Sequence, residues 1–330
     1  MKTPIRVAVT GPCGQIGYAM LFRIASGGLF GPDQPVHLRM MDINTPEAQA
    51  KLKGIMMELA DCAFPTLAEM TACTDEKSLF EEAESVFLIG SRPQIAGSTK
   101  RSDLLKGNAE IFRTQGRALD EVAARHVRVC MVANPCNTLA YIAMKNAPSL
   151  APECFSALMR LDQNRSLARV AEKLQVPVRE LDNAIVWGNH SDTMYPDLRF
   201  VRHQGITLEN AFDQAWLDQF VPGVIDRGWE IVRARGISSG ASAGSAALDH
   251  MRDWFLGAGE KICTMAVPSD GSYGIPEGLM FGFPCHCSGA RQYRIIDDLP
   301  MTETVMQRLA LARDELIAEA QAVESYLPKN

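Results

Sequence analysis

The chain holds six histidines, at 37, 126, 190, 203, 250 and 286, and one stands where proton transfer would suit it. His190 lies in Trp187-Gly188-Asn189-His190-Ser191, just after an apolar run. An imidazole titrates near neutrality, so it can accept a hydroxyl proton as another bond breaks. A lone loop histidine is as readily a hydrogen-bonded structural residue, so His190 needs partners. Arg160-Leu161-Asp162-Gln163-Asn164-Arg165 offers them. Asp162 and Arg165 are three apart and share a helix face. Asp162 could orient an imidazole and stabilise its cation. Arg165 could hold a carboxylate through a planar, bidentate contact. A surface ion pair is the competing reading, common and weak.

A second constellation sits at the start. Gly11-Pro12-Cys13-Gly14-Gln15-Ile16-Gly17 follows an apolar strand, Ile5 to Thr10, and opens a helix, Gln15 to Ala25. The glycines allow a tight turn, let backbone approach a pyrophosphate, and let helix and strand pack closely. The helix start then offers N–H groups to phosphate. A bare glycine turn is as often structural, but strand, turn and helix occur here in the required order. The next strand ends at Asp42, where a carboxylate can accept from both ribose hydroxyls of NAD and would repel the 2'-phosphate of NADP. The bland alternative is a solvated acid at a strand end.

These residues need a scaffold. Strand-length apolar runs at 5–10, 37–41, 85–89 and 127–132 alternate with helix-length segments, which predicts βαβ units and a doubly wound parallel sheet. The second half is less regular. Helices are expected over roughly 164–173, 210–235, 241–256 and 302–326, and strands near 184–187, 199–201 and 261–267. The pattern is α/β, with a dinucleotide-binding domain over 1–153 and an α+β substrate domain over 154–330.

Composition narrows the function. At 330 residues, 47% hydrophobic and 22% charged, the chain can bury a two-domain core. A net charge of -6 without a Lys/Arg block gives no footprint for nucleic acid. An anionic substrate must be drawn by a local cluster of cations. Nine cysteines at irregular spacing suggest reduced thiols, not a disulfide framework. No apolar run is long enough to span a bilayer, and the start lacks a signal-peptide pattern, so the cytoplasm is the expected location. Cys285-His286-Cys287 lacks metal-ligand spacing, and no metal is expected. His250, beside Asp249 and Arg252, reads as a helix-surface cluster.

Longer stretches carry a resemblance. TGPCGQIGYAMLFRIASG, MELADCAFP, NPCNT, AMKNAP, RLDQNR, WGNHSDTMYPDL, DHMRDW and SDGSYGIPEG resemble the lactate/malate dehydrogenase superfamily, and within it the cytosolic-type malate dehydrogenases. The resemblance implies a Rossmann-type nucleotide domain, NAD as cofactor, a 2-oxo or 2-hydroxy acid as substrate, and a homodimer. It implies that His190 is the proton acceptor, Asp162 its partner and Arg165 the clamp on the C1 carboxylate. It also implies that Asn134 contacts substrate and nicotinamide and that Asn108 touches the cofactor, alongside Gly11, Gly14, Gln15, Ile16, Gly17 and Asp42.

The family also has a loop that closes over substrate, here Gly90 to Asp103. Counting back from Asp103, Arg101 is the arginine that polarises the reacting carbonyl. Malate enzymes carry a second arginine directly after Pro93, to pair with the distal carboxylate. This chain has Gln94 there, as the lactate branch does, and one extra residue between Gly97 and Arg101. Glutamine cannot neutralise a C4 carboxylate. Lys100 or Arg92 could supply the missing cation if the longer loop folds differently. Gly240 and Gly244 stand where relatives more often have Ala, which either enlarges the pocket or eases helix packing. Two other functions stay open: a metal-assisted NAD-dependent glycosidase, against which intact RLDQNR and WGNHS argue, and a non-catalytic NAD-binding homologue.

Overall fold

The computed structural model of the chain describes residues 2–92, 101–208 and 211–328, and only the backbone of 101–104. The first half alternates strand and helix: β1 (Ile5–Thr10), α1 (Gln15–Ala25), β2 (Val36–Met41), α2 (Pro46–Asp61), β3 (Leu67–Ala72), α3 (Glu76–Phe80), β4 (Ser85–Leu88), α4 (Arg101–Val122), β5 (Arg128–Met131), α5 (Cys136–Lys145) and β6 (Phe155–Ala157). The second half runs α6 (Arg160–Leu174), β7 (Leu181–Asp182), β8 (Ile185–Trp187), β9 (Tyr195–Asp197), β10 (Arg202–His203), β11 (Ile206–Thr207), α7 (Gln214–Arg235), α8 (Ala241–Leu256), β12 (Ile262–Pro268), β13 (Met280–Gly289), β14 (Gln292–Ile295) and α9 (Glu303–Ala322).

Six parallel strands in the order β6-β5-β4-β1-β2-β3 form the nucleotide half of one nine-stranded sheet. The expected α/β, doubly wound architecture is present. The inner strands are largely apolar and buried on both faces; all four residues of β4, Ser85 included, are buried, because helices cover each side. One face packs into a core with α1 and α8 through Met20, Leu21, Ile24, Met251 and Trp254. The other packs against α3, α4 and α5 through Phe80, Phe112, Leu119 and Leu139. The sheet then continues antiparallel through β12, β13 and β14, joined where Ala266 pairs with Ala157.

Four strands went unforeseen in or beside the main sheet. β3 lies at its edge with no fully buried residue, and its Ala, Glu and Thr positions break the continuous apolar signal of β1. β6 is only three residues long. β13 contains Gly282 and Pro284, which argue against a strand from sequence, and β14 alternates exposed and half-buried residues. The strand expected near 199–201 falls on a turn between β9 and β10. The long C-terminal helix ends at Ala322, before a short 3-10 turn.

Candidate active site

The chain runs outward from β1 both ways, to β2 and β3 on one side and to β4, β5 and β6 on the other, and the carboxyl ends of strands at such a switch point are where open α/β sheets hold ligands. Gly11 follows β1 at φ +64 and lies so close to Gly90, beyond β4, that a Cβ would sit 2.7 Å from the Gly90 Cα. The Thr10 hydroxyl accepts from the Ile89 and Gly90 N–H groups, fixing that seam. Gly17 lets α1 start against the turn, because a Cβ there would meet the Gly11 carbonyl at 2.5 Å. Gly14 caps α1 without a side-chain hydrogen bond, so the first-turn N–H groups, beginning with Gln15 and Ile16, are left for an anion. Asp42, one residue past β2, accepts from the Cys13 N–H at 3.0 Å and from the Ile43 N–H at 2.9 Å. Burial and Asp42 push the Cys13 thiol up to about 11, so it is no thiolate near neutrality. These residues fit a dinucleotide: Gly11 and Gly17 leave no room for a side chain, so the turn offers backbone N–H groups to phosphate.

Asn108, on α4, is fully buried. Its Oδ1 accepts from the Arg92 N–H at 2.8 Å and its amide donates to the Asn134 carbonyl at 3.4 Å. It thus links the start of the 93–100 segment to the end of β5. Asn134 is exposed and precedes Pro135 in a cis peptide. Gln94 and Lys100 lie outside the described residues, as does most of the expected substrate loop. The backbone of Arg101 begins α4, and its side chain is likewise outside them.

The helix α6 opens shortly after β6, earlier than its apolar pattern predicted. Asp162, in its first turn, is completely buried. Its Oδ2 lies 2.6 Å from His190 Nδ1, and its Oδ1 accepts from the Arg165 guanidinium at 2.9 Å. Burial alone would push this carboxyl up, but His190 and Arg165 outweigh it and hold the group below the usual carboxylate range. The His190 and Arg165 side chains keep 20% and 11% of their surface. Both therefore keep some exposed surface while tied to one buried acid. Sequence places these three residues up to 28 positions apart, and the fold brings them together.

Other residues hold this cluster without having been singled out for it. The Asn137 side chain accepts from the His190 N–H at 3.1 Å and donates to the Gly188 and Met280 carbonyls. Gln163 donates to Ala184 and Ile262 carbonyls and accepts from the Thr264 N–H, locking α6 onto β12. Asn137 stands in the NPCNT stretch, so its signal was present but was assigned to neighbouring Asn134. Gly228, on α7, leaves room beside Arg165, whose Nη2 would lie 3.8 Å from a Cβ there.

Two readings need revision or choice. His250 is not on a helix surface: α8 turns it inward, 1% exposed, with Nε2 2.9 Å from the Ser156 hydroxyl. Its flanking Asp249 and Arg252 made the stretch look solvated, but positions 243, 246, 247, 250, 251 and 254 form one buried stripe. Burial and then Arg160 push its pKa down to about 3. Gly240 and Gly244 serve packing: Cβ atoms there would lie 2.8 Å from Gln15 and Met20 of α1. Among the described residues no group of three His, Cys, Asp or Glu is placed to hold a metal. Among them, too, no helix is long and apolar enough to cross a membrane.

The chain is similar to known proteins over nearly its whole length. Residues 5–156 match the lactate/malate dehydrogenase NAD binding domain, and 159–326 match the lactate/malate dehydrogenase alpha/beta C-terminal domain. The malate dehydrogenase from Naegleria fowleri is similar at 42% identity and a TM-score of 0.94, over 99% of this chain and 100% of that one. A Trichomonas vaginalis lactate dehydrogenase, solved in complex with NADH and oxamate, is similar at 36% identity and a TM-score of 0.92, over 98% of each chain. The Salinibacter ruber malate dehydrogenase, 22% identical with a TM-score of 0.80 over 97% of this chain and 98% of that one, shares the fold. Matched in both halves, the chain belongs to the lactate/malate dehydrogenase family, and its N-terminal half is that family's NAD-binding domain.

Proposed function

We propose that this protein is an NAD-dependent 2-hydroxy-acid dehydrogenase, reversibly moving a hydride between the acid's C2 and the nicotinamide. The observation that carries the reading is one buried carboxylate, Asp162, holding both His190 Nδ1 and Arg165. With Nδ1 committed to Asp162, Nε2 is the ring nitrogen that takes the hydroxyl proton as C2 is oxidised and returns it in reduction. Asp162 stays ionised and stabilises the imidazolium that forms. Arg165 grips the C1 carboxylate, which fixes C2 and its oxygen beside His190. Arg101, at the start of α4, polarises the carbonyl, and Asn134 contacts substrate and nicotinamide. NAD, when bound, supplies the hydride acceptor. Gly11, Gly14, Gln15, Ile16 and Gly17 cradle its pyrophosphate, Asp42 takes the ribose hydroxyls, and Asn108 touches the cofactor. The units are 1–153 and 154–330, the assembly a homodimer and the location the cytoplasm.

The preferred acid is not a C4 dicarboxylate. Gln94 stands where a malate enzyme needs a cation, and a buried distal carboxylate left unpaired costs several kcal/mol. Relatives of both specificities match at similar lengths, so overall likeness does not choose. The test is NADH oxidation with oxaloacetate, pyruvate, a bulky aromatic 2-oxo acid and a sulfonated one. The expected result is a kcat/KM for oxaloacetate below that of another acid. Oxaloacetate ahead by a large factor overturns the substrate reading and gives the cation role to Lys100 or Arg92.

A further inference from the structure

The loop that carries His190 joins β8 to β9 and spans residues 188–194. It is pinned from beneath by a residue far away in sequence. Glu315 Oε2, on α9, accepts from the Asn189 amide at 2.9 Å, the Ser191 hydroxyl at 2.5 Å and the Thr193 hydroxyl at 2.6 Å. These donors flank His190 at the positions before it, after it and three after it. Ser191 and Thr193 also meet each other at 2.9 Å, and the Thr193 N–H donates to Ser191 Oγ, so the three bonds brace one small network.

The backbone on the other side of the loop is held just as closely. Gly188, at φ +96, packs so tightly on α9 that a Cβ would sit 2.6 Å from the Ala312 Cβ, one turn before Glu315. Gly188 also exchanges two backbone hydrogen bonds with Gly282, at 3.1 and 2.7 Å. α9 is itself seated by Val305, Leu309, Ala312 and Leu316, all buried, and by a Glu319 contact to the Thr138 hydroxyl on α5. Asp162 fixes the imidazole at Nδ1, but a ring can be fixed only relative to the backbone that carries it. A carboxylate with three short, neutral donors is a strong anchor, because charge-assisted bonds are shorter and stronger than neutral ones.

We propose that Glu315 is a positioning residue for His190, and that α9 therefore sets the rate of proton transfer. The proposal rests on His190 as the acid/base group. Without Glu315 the loop can move while the Asp162 contact and the nucleotide turn stay intact. A displacement of about 1 Å at a reacting group costs roughly 100-fold in rate.

The experiment compares wild type, Glu315→Ala, Glu315→Gln and His190→Asn in the full-length protein, with NADH and the best acid of the panel. It measures kcat, KM, NADH dissociation by fluorescence, and the primary isotope effect with 4-deuterated NADH. Glu315→Ala is expected to lower kcat about 100-fold, raise the isotope effect on kcat, and leave NADH affinity as in wild type. Glu315→Gln, which keeps an acceptor oxygen, recovers part of that loss. Should Glu315→Ala fail to fold, Ser191→Ala combined with Thr193→Val removes the donors instead and is expected to give the same kcat and isotope effect. Wild-type kcat and isotope effect in a folded Glu315→Ala protein, or in that double variant, overturn the proposal. Near wild-type turnover in His190→Asn overturns the acid/base reading itself, a separate failure.

Discussion

The turn between β1 and α1 and the loop between β8 and β9 are built on opposite plans. The turn is bare: Gly11, Gly14 and Gly17 supply backbone only, and the first-turn N–H groups of α1 have no side-chain cap. The loop is pinned throughout: Asn137 holds the His190 N–H, Asp162 its ring, and Glu315 three of its neighbours. A phosphate is recognised by donors that stay open, and crowding by any side chain would spoil them. A proton is transferred by one atom that must hold one rotamer, so every other freedom around it is removed. Binding and chemistry should therefore fail independently.

The largest separation is expected from Asp162→Asn. The amide cannot stabilise an imidazolium and can present its NH₂ to Nδ1, favouring the wrong tautomer. The predicted loss is on the order of 10³ to 10⁴ in kcat, with NADH affinity unchanged by fluorescence titration. A comparable loss of NADH affinity would show that the two regions are not separable. Asp42→Ser breaks the comparison from the other side. Removing the carboxylate that would face a 2'-phosphate should raise the kcat/KM ratio of NADPH to NADH by at least about tenfold. Its kcat with saturating NADH should stay near wild type, and an unchanged cofactor ratio would remove Asp42 from the ribose site.

The smallest effect falls on stability and lies behind both regions, at His250. Its folded pKa is about 3, against 6.5 for the free side chain, so between those values the unfolded chain binds a proton that the folded chain refuses. Stability is fully present above pH 6.5 and falls as pH drops through this window, by about 1.4 kcal/mol per pH unit. His250→Gln removes that slope. The difference in urea midpoint between variant and wild type should therefore shift toward the variant from pH 7 to pH 5. A difference constant with pH would mean that His250 is not held neutral.

Much of this was legible because the decisive residues lie in short runs. Asp162 and Arg165 share one helical turn, His190 directly follows a strand, and the glycine turn lies between a strand and a helix. Near-continuous apolar runs revealed the inner parallel strands, because burial on two faces favours apolar residues, with Thr10, Arg39 and Ser85 as buried exceptions. What escaped was set by contacts over long separations. Glu315 lies 126 positions from Asn189 and reads as one more polar residue on an amphipathic helix. His250 was hidden by charged neighbours on the far side of its own helix, although the 3.6-residue stripe through Met251 and Trp254 was there to be counted. β3 is an edge strand with no fully buried residue, and β13 carries Pro284, so neither shows the pattern that identified β1.

Whether Asp162 and His190 act as one proton-transfer unit is tested by a double-mutant cycle. Single-turnover NADH formation would be followed for His190→Asn, Asp162→Asn and the double variant, with the best 2-hydroxy acid and saturating NAD. The double variant is expected to be scarcely slower than His190→Asn alone, because the aspartate acts on proton transfer through the histidine, while the amide oxygen of Asp162→Asn can still accept from Arg165. Losses that multiply, with each substitution acting as if the other were absent, would contradict it.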